Sequence, residues 1–193
     1  MKQKSSLTTI HKKWIKKCTC ELRNTALRAV TGNGNEHSLI VFIGEAPGKK
    51  EDETGIPFVG SAGRILDELL SSIRMKREDV YITNIVKYRP PNNRDPLPAE
   101  KLACRAWLHE ELNSIQPLLI VLLGRHAMNN FFSDLTISRV HGKLLHATIP
   151  DISTHYFLPL YHPAATLYNG SLKKSLYKDF KKIPSYVRKI EKK

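Results

Sequence analysis

Four short apolar runs, at residues 39–43, 80–86, 118–123 and 156–160, recur along the chain. Between and after them lie segments with helical apolar spacing, at 62–74, 98–115, 126–132 and 164–182. Strands that alternate with helices pair in parallel, because each helix carries the chain back across the sheet before the next strand begins. The expected fold is therefore α/β: a single domain with a central four-stranded parallel sheet flanked by helices. In such a sheet, ligands bind at the carboxyl ends of the strands.

The first run opens into Gly44-Glu45-Ala46-Pro47-Gly48, followed by Glu51-Asp52 and then Pro57-Phe58-Val59-Gly60-Ser61-Ala62-Gly63. A Gly/Pro-rich turn after a buried strand places Glu45 at that edge. The second run ends in Thr83-Asn84-Ile85-Val86-Lys87-Tyr88-Arg89-Pro90-Pro91, and the fourth runs into Tyr161-His162-Pro163-Ala164-Ala165. Glu45, Asn84 and His162 thus lie at the ends of separate parallel strands, where they can converge on one pocket. Pro98 with Glu100 marks a helix start, since proline suits the first helical position and an acid suits the first turn.

Charge narrows the class of partner. With 31 Lys+Arg against 18 Asp+Glu, the formal net charge is +13, which favours a polyanion because contact with phosphates releases counterions. Lysines crowd both ends, and the basic stretches 1–17 and 184–193 are expected to be mobile extensions of one domain spanning 1–193. No apolar run reaches the roughly 18 residues of a membrane span. The basic amino terminus lacks the apolar segment of a secretory signal, so the expected setting is cytoplasmic.

Together the three blocks resemble the motifs of the uracil-DNA glycosylase superfamily, in particular its family 4 enzymes, with their Gly-Glu-(Ala/Gly)-Pro-Gly loop and Pro-Phe-Val-Gly-x-Ala-Gly continuation. The resemblance extends from about Cys20 to the helix after His162. It implies a DNA-repair hydrolase that cleaves the N-glycosidic bond of uracil in DNA and leaves an abasic site. That chemistry calls for a carboxylate to position water at the sugar, donors for the departing base, and a wall for the flipped base.

Glu45 is the expected water-positioning catalytic group and His162 the donor to uracil O2. A backbone N–H at Ala46 reaches the base, Phe58 stacks on it, Glu51 lies beside the pocket, and the Asn84 amide pairs with N3–H and O4. Ser61, Lys87, Arg89, Thr166 and Leu167 are the expected DNA contacts. Thr166 stands where relatives carry a leucine wedge, so Leu167 or Tyr168 is expected to fill the space left by the flipped nucleotide.

Family 4 members also hold a 4Fe–4S cluster on four cysteines. This chain has three, Cys18, Cys20 and Cys104. Cys20 and Cys104 match the second and fourth family positions, Cys18 is displaced by one residue from the first, and Tyr88 occupies the third. Such clusters are held by thiolates, so the cluster is expected to be lost, and no cofactor is expected to serve the chemistry. The expected protein is a monomer acting on uracil-containing DNA.

Other classes fit less well. A relative with broader preference for deaminated bases would keep the same motifs, whereas a non-catalytic DNA-binding module would have lost Glu45, Asn84 or His162. A phosphate-cradling hydrolase would carry a Walker-type Gly-Lys-Ser/Thr or a metal-binding cluster, and neither motif is present.

Overall fold

The computed structural model describes residues 6–167 and 169–192. In chain order the elements are α1 (Leu7–Lys17), β1 (Asn33–Gly34), β2 (Ile40–Gly44), α2 (Lys49–Thr54), α3 (Ser61–Ser72), β3 (Tyr81–Asn84) and α4 (Pro98–Ile115). There follow β4 (Leu119–Leu123), α5 (Arg125–Asn129), α6 (Ile137–Val140), β5 (Leu145–His146), β6 (Tyr156–Leu160), α7 (Gly170–Phe180) and α8 (Ile183–Glu191). The strand order is β1-β3-β2-β4-β6-β5. The inner four strands are parallel, as their spacing predicts, and two-residue antiparallel strands cap both edges.

The inner strands read as continuous apolar runs because both of their faces are covered. Val41, Ile43, Ile120, Leu122 and Phe157 join Trp107 and Leu108 of α4 in one core. On the opposite face Phe42, Val121, Leu123 and Leu158 meet Leu66 and Leu69 of α3 and Phe180 of α7. Successive residues of each strand thus enter alternate cores, the period-two geometry of a pleated strand.

Both ends of the chain contribute structure that charge alone does not announce. Residues 7–17 form α1, which buries Leu7 and Ile10. Trp14 stacks on Trp107 at a centroid distance of 6.5 Å, and the Lys13 ammonium pairs with Glu110 at 2.7 Å. Near the carboxyl end α8 buries Ile183 and Ile190. In both helices the lysines occupy the outer face of an amphipathic stripe, so a charge run conceals a docked helix. Among the described residues no helix is long and apolar enough to cross a membrane.

The register sets the site. Gly44 lies opposite Asn84 on β3, and Leu123 lies opposite Leu160 on β6. β2 is flanked by β3 on one side and β4 on the other, so the connections leave it in opposite directions and open a crevice at the shared carboxyl edge.

Candidate active site

The loop after β2 is closed by one side chain. The buried carboxylate of Glu51 accepts from the backbone N–H groups of Gly48 (3.1 Å), Val59 (2.9 Å) and Gly60 (2.7 Å). Glu51 therefore binds the start of the loop to its end and braces the pocket wall. Phe58, within that span, has a left-handed backbone with φ 54°, an unusual conformation for a residue with a β-carbon. The Arg77 guanidinium holds it there by donating to the carbonyls of Pro57 (3.2 Å) and Phe58 and pairing with Asp67.

Two glycines give the rings their room. A β-carbon at Gly44 would lie 2.4 Å from Asn84 Oδ1 and 2.5 Å from Phe58 Cζ. At Gly124, whose φ is +90°, a β-carbon would approach His162 Cβ to 2.9 Å.

The resulting cleft is about 620 Å³, and Ala46, Glu51, Phe58, Asn84 and His162 are among its lining residues. Phe58 and His162 stand with ring centroids 5.7 Å apart. Asn84 is 2% exposed, and its Oδ1 has no hydrogen-bond partner among the described residues. A buried, unpaired acceptor is costly, and the Asn84 side chain that carries it lines the cleft.

His162 Nδ1 accepts from the backbone N–H of Ala164 at 3.1 Å. In a neutral ring that contact leaves the hydrogen on Nε2. Burial, helped by the nearby His126, pushes the imidazole pKa down to about 4, so at neutral pH His162 is an uncharged donor.

Glu45 is set apart from the cleft lining. Its carboxylate lies 3.8 Å from His126 Nε2. Burial, with Asp95 nearby, raises its pKa to about 7, while Lys101 and Arg125 pull the other way. His126 and Asp95 escape the motif search because neither belongs to the three blocks. The available signal was position: Gly124-Arg125-His126 follows β4 at the same sheet edge as the others.

Two expected DNA contacts are corrected by burial. Lys87 is fully buried and donates to Glu111 Oε2 at 2.6 Å and to Thr83 Oγ1 at 2.5 Å. It balances a charge inside the domain and reaches no phosphate. Thr166 is buried too, with its hydroxyl donating to the Pro163 carbonyl at 2.7 Å. Leu167 next to it is 43% exposed, a large apolar side chain facing outward from this loop; Tyr168 lies outside the described residues. Ser61 is exposed at the start of α3, and Arg89 donates through Nε to Asn93 at 2.8 Å.

The three cysteines are buried together behind α1. The Cys18 and Cys20 thiols donate to the carbonyls of Ala103 (3.8 Å) and Glu100 (3.7 Å), and the nearby Cys104 lowers Cys18 to about 6 and also lowers Cys20, while Cys104 itself is pushed up. Burial raises the Tyr88 phenol to about 12, and its ring packs edge-on to Trp107. A neutral phenol in an aromatic contact is no thiolate, so this set does not fit a four-thiolate cluster.

The chain is similar to known proteins along most of its length. The sequence pattern of the Uracil DNA glycosylase superfamily matches residues 31–183. The type-4 uracil-DNA glycosylase of Archaeoglobus fulgidus is 49% identical over 169 residues, covering 85% of this chain and 84% of that one. The Saccharolobus solfataricus type-4 enzyme is 46% identical over 176 residues (88% and 81%). That of Thermotoga maritima is 41% identical over 195 residues, covering 98% of this chain and 99% of its own. On the fold, the three motif blocks and this likeness along almost its whole length, the chain belongs to the uracil-DNA glycosylase superfamily, within its type-4 family.

Proposed function

We propose that this protein is a monofunctional uracil-DNA glycosylase of base excision repair, acting on DNA as an intracellular monomer. The observation that carries the reading is the orphaned Oδ1 of Asn84, buried beside Phe58 and within the same cleft as a neutral His162. Uracil is a flat base with an N3–H donor between two carbonyl acceptors. Oδ1 accepts from N3–H, the Asn84 amide donates to O4, and His162 Nε2–H donates to O2. Phe58 stacks on the ring, which contributes ~1–3 kcal/mol.

The remainder follows from charge. As the C1′–N1 bond breaks, its electron pair leaves with uracil, and negative charge gathers on O2 against the His162 donor. A water held by the Glu45 carboxylate adds its oxygen to C1′, and its proton passes to Glu45. The position of Glu45 outside the base-lining wall suits this role, because the sugar lies beyond the base. Lys49, Lys50 and Arg64 at the cleft serve the phosphates, and Leu167 enters the space of the flipped nucleotide.

The chemistry requires no cofactor, and with Tyr88 at the third ligand position the chain carries no 4Fe–4S cluster. Packing of α1 on α4 takes over the pinning of the amino-terminal segment. The test is release of free uracil from oligonucleotides in single-stranded, U:G and U:A contexts, with strand scission only after alkali. Failure to release uracil, or scission without alkali, overturns the reading.

A further inference from the structure

β4 supplies none of the three motif blocks, yet its carboxyl end brings a side chain against the catalytic acid. His126 Nε2 stands 3.8 Å from Glu45 Oε1 and 3.1 Å from Asp95 Oδ2. One ligand atom from each of the three residues lies within 4.8 Å of the others. Arg125 Nε–H points at the same Nε2 from 2.9 Å, and its Nη2 pairs with Asp95 at 3.3 Å. A neutral ring receiving that N–H keeps its own hydrogen on Nδ1. The single Nε2 lone pair is taken by that N–H, and the Glu45 and Asp95 carboxylate oxygens stand beside the same nitrogen. Side-chain exposure rises from 20–25% at His126 and Glu45 to 61% at Asp95, so the row leads outward to solvent.

We propose that His126 is a positioning residue for glycosidic hydrolysis, which takes at Nε2 the proton that Glu45 accepts from the attacking water and hands it by way of Asp95 to solvent. The proposal rests on the role given to Glu45 above. In the first step a water O–H bond breaks, C1′–O forms and C1′–N1 breaks, with the uracil anion later protonated by solvent. In the same transition state the Arg125 N–H swings off Nε2 and the proton moves on from Glu45 as N–H forms there, so the carboxylate stays charged while C1′–N1 breaks. The imidazolium then gives its proton to Asp95 and the surrounding water. The 3.8 Å gap is of the kind that tightens once substrate is bound.

Every charged neighbour enters the pH behaviour. Glu45 faces Asp95, Lys101 and Arg125 besides His126. His126 faces Asp95, Arg125 and Lys101, and it also acts on His162. Replacing the imidazole with an apolar ring removes a proton acceptor and dries the carboxylate, which favours protonated Glu45. Replacing Asp95 with its amide removes a like charge and favours ionised Glu45.

The experiment is single-turnover excision by the full chain from a single-stranded uracil oligonucleotide, from about pH 5 to about pH 9, with DNA affinity and melting temperature followed in parallel. His126→Phe is expected to lower the plateau rate about 10–100-fold and to move the acid-side midpoint up by about half a unit or more, with DNA affinity within about threefold. Asp95→Asn is expected to move the midpoint down. Added imidazole is expected to restore part of the rate to His126→Ala, and His126→Gln serves if the phenylalanine variant fails to fold. A His126→Phe or His126→Gln enzyme with wild-type plateau and midpoint, beside an inactive Glu45→Gln, overturns the relay and leaves the glycosylase reading standing. Full activity of Glu45→Gln instead removes the role of Glu45 and the relay with it.

Discussion

Gly44 and Asn84 face one another across the β2–β3 pair, so close that a β-carbon on the glycine would stand 2.4 Å from the amide oxygen. The same β-carbon would lie 2.5 Å from the Phe58 ring. The floor of the cleft is thus bare backbone, and both groups proposed to meet the base rest on it. Gly44→Ala is expected to cost ~1–3 kcal/mol of stability through overpacking and to lower excision well beyond what that loss explains. Urea unfolding and single-turnover rates on one preparation check this. Wild-type rates in the variant would mean that Asn84 and Phe58 do not act from these positions.

Glu45 is held up to about pKa 7 by burial and Asp95, and only its ionised form accepts a proton. The excision rate is therefore expected to rise with pH through about 7 and to fall towards tenfold per unit well below it. His162, held down to about 4, is neutral throughout that window and contributes no limb there. Glu45→Gln is expected to abolish the rise and lower the plateau at least about 100-fold with DNA affinity nearly unchanged, as read by a pH series of single-turnover rates.

His162→Ala removes one donor to the developing oxyanion. A loss of ~2.7–4 kcal/mol of transition-state stabilisation, about 100–1000-fold in rate, is expected. Asn84→Asp removes the side-chain amide donor and is expected to weaken discrimination between uracil and cytosine. Competition between uracil- and cytosine-containing oligonucleotides measures that directly.

Lys87 and Glu111, both fully buried and 2.6 Å apart, make a different kind of prediction. Lys87→Met leaves the Glu111 carboxylate without its ammonium, although His11 still contacts it at 2.9 Å. A loss of ~3–5 kcal/mol is expected. The salt dependence of DNA binding should keep its wild-type slope, since no phosphate contact disappears. A shallower slope would place this ammonium on DNA.

Anaerobically purified protein is expected to be colourless, without the broad absorbance near ~400 nm of a thiolate-bound cluster, and to contain far less than stoichiometric iron. Cys20→Ser should then leave excision and melting temperature close to wild type. A brown sample with about four irons per chain, unfolding more easily after the same substitution, would reverse this.

The parallel core was legible because its strands are buried on both faces and read as plain apolar runs; residues 156–160 were located to the residue. The two edge strands were not, since Asn33–Gly34 and Leu145–His146 are too short to carry a period. Helix α1 was hidden by its lysines, whose stems leave only Leu7, Ile10 and Trp14 to mark the inner face. At the site, Glu45, Asn84, Phe58 and His162 were legible as motif residues. His126 was not, because its value lies in meeting Glu45 across two strands. Lys87 misled for the converse reason: a lysine in a basic chain reads as surface until a buried Glu111, distant in sequence, is seen to answer it.

The contact between His162 Nδ1 and the Ala164 N–H has a consequence for the catalytic cycle. A peptide hydrogen neither titrates nor turns, so the ring is locked with its outward hydrogen in place before substrate arrives and after product leaves. His162 therefore behaves as a fixed dipole that needs no recharging, so on the proposed mechanism it is the Glu45 carboxylate that has to be reset between turnovers.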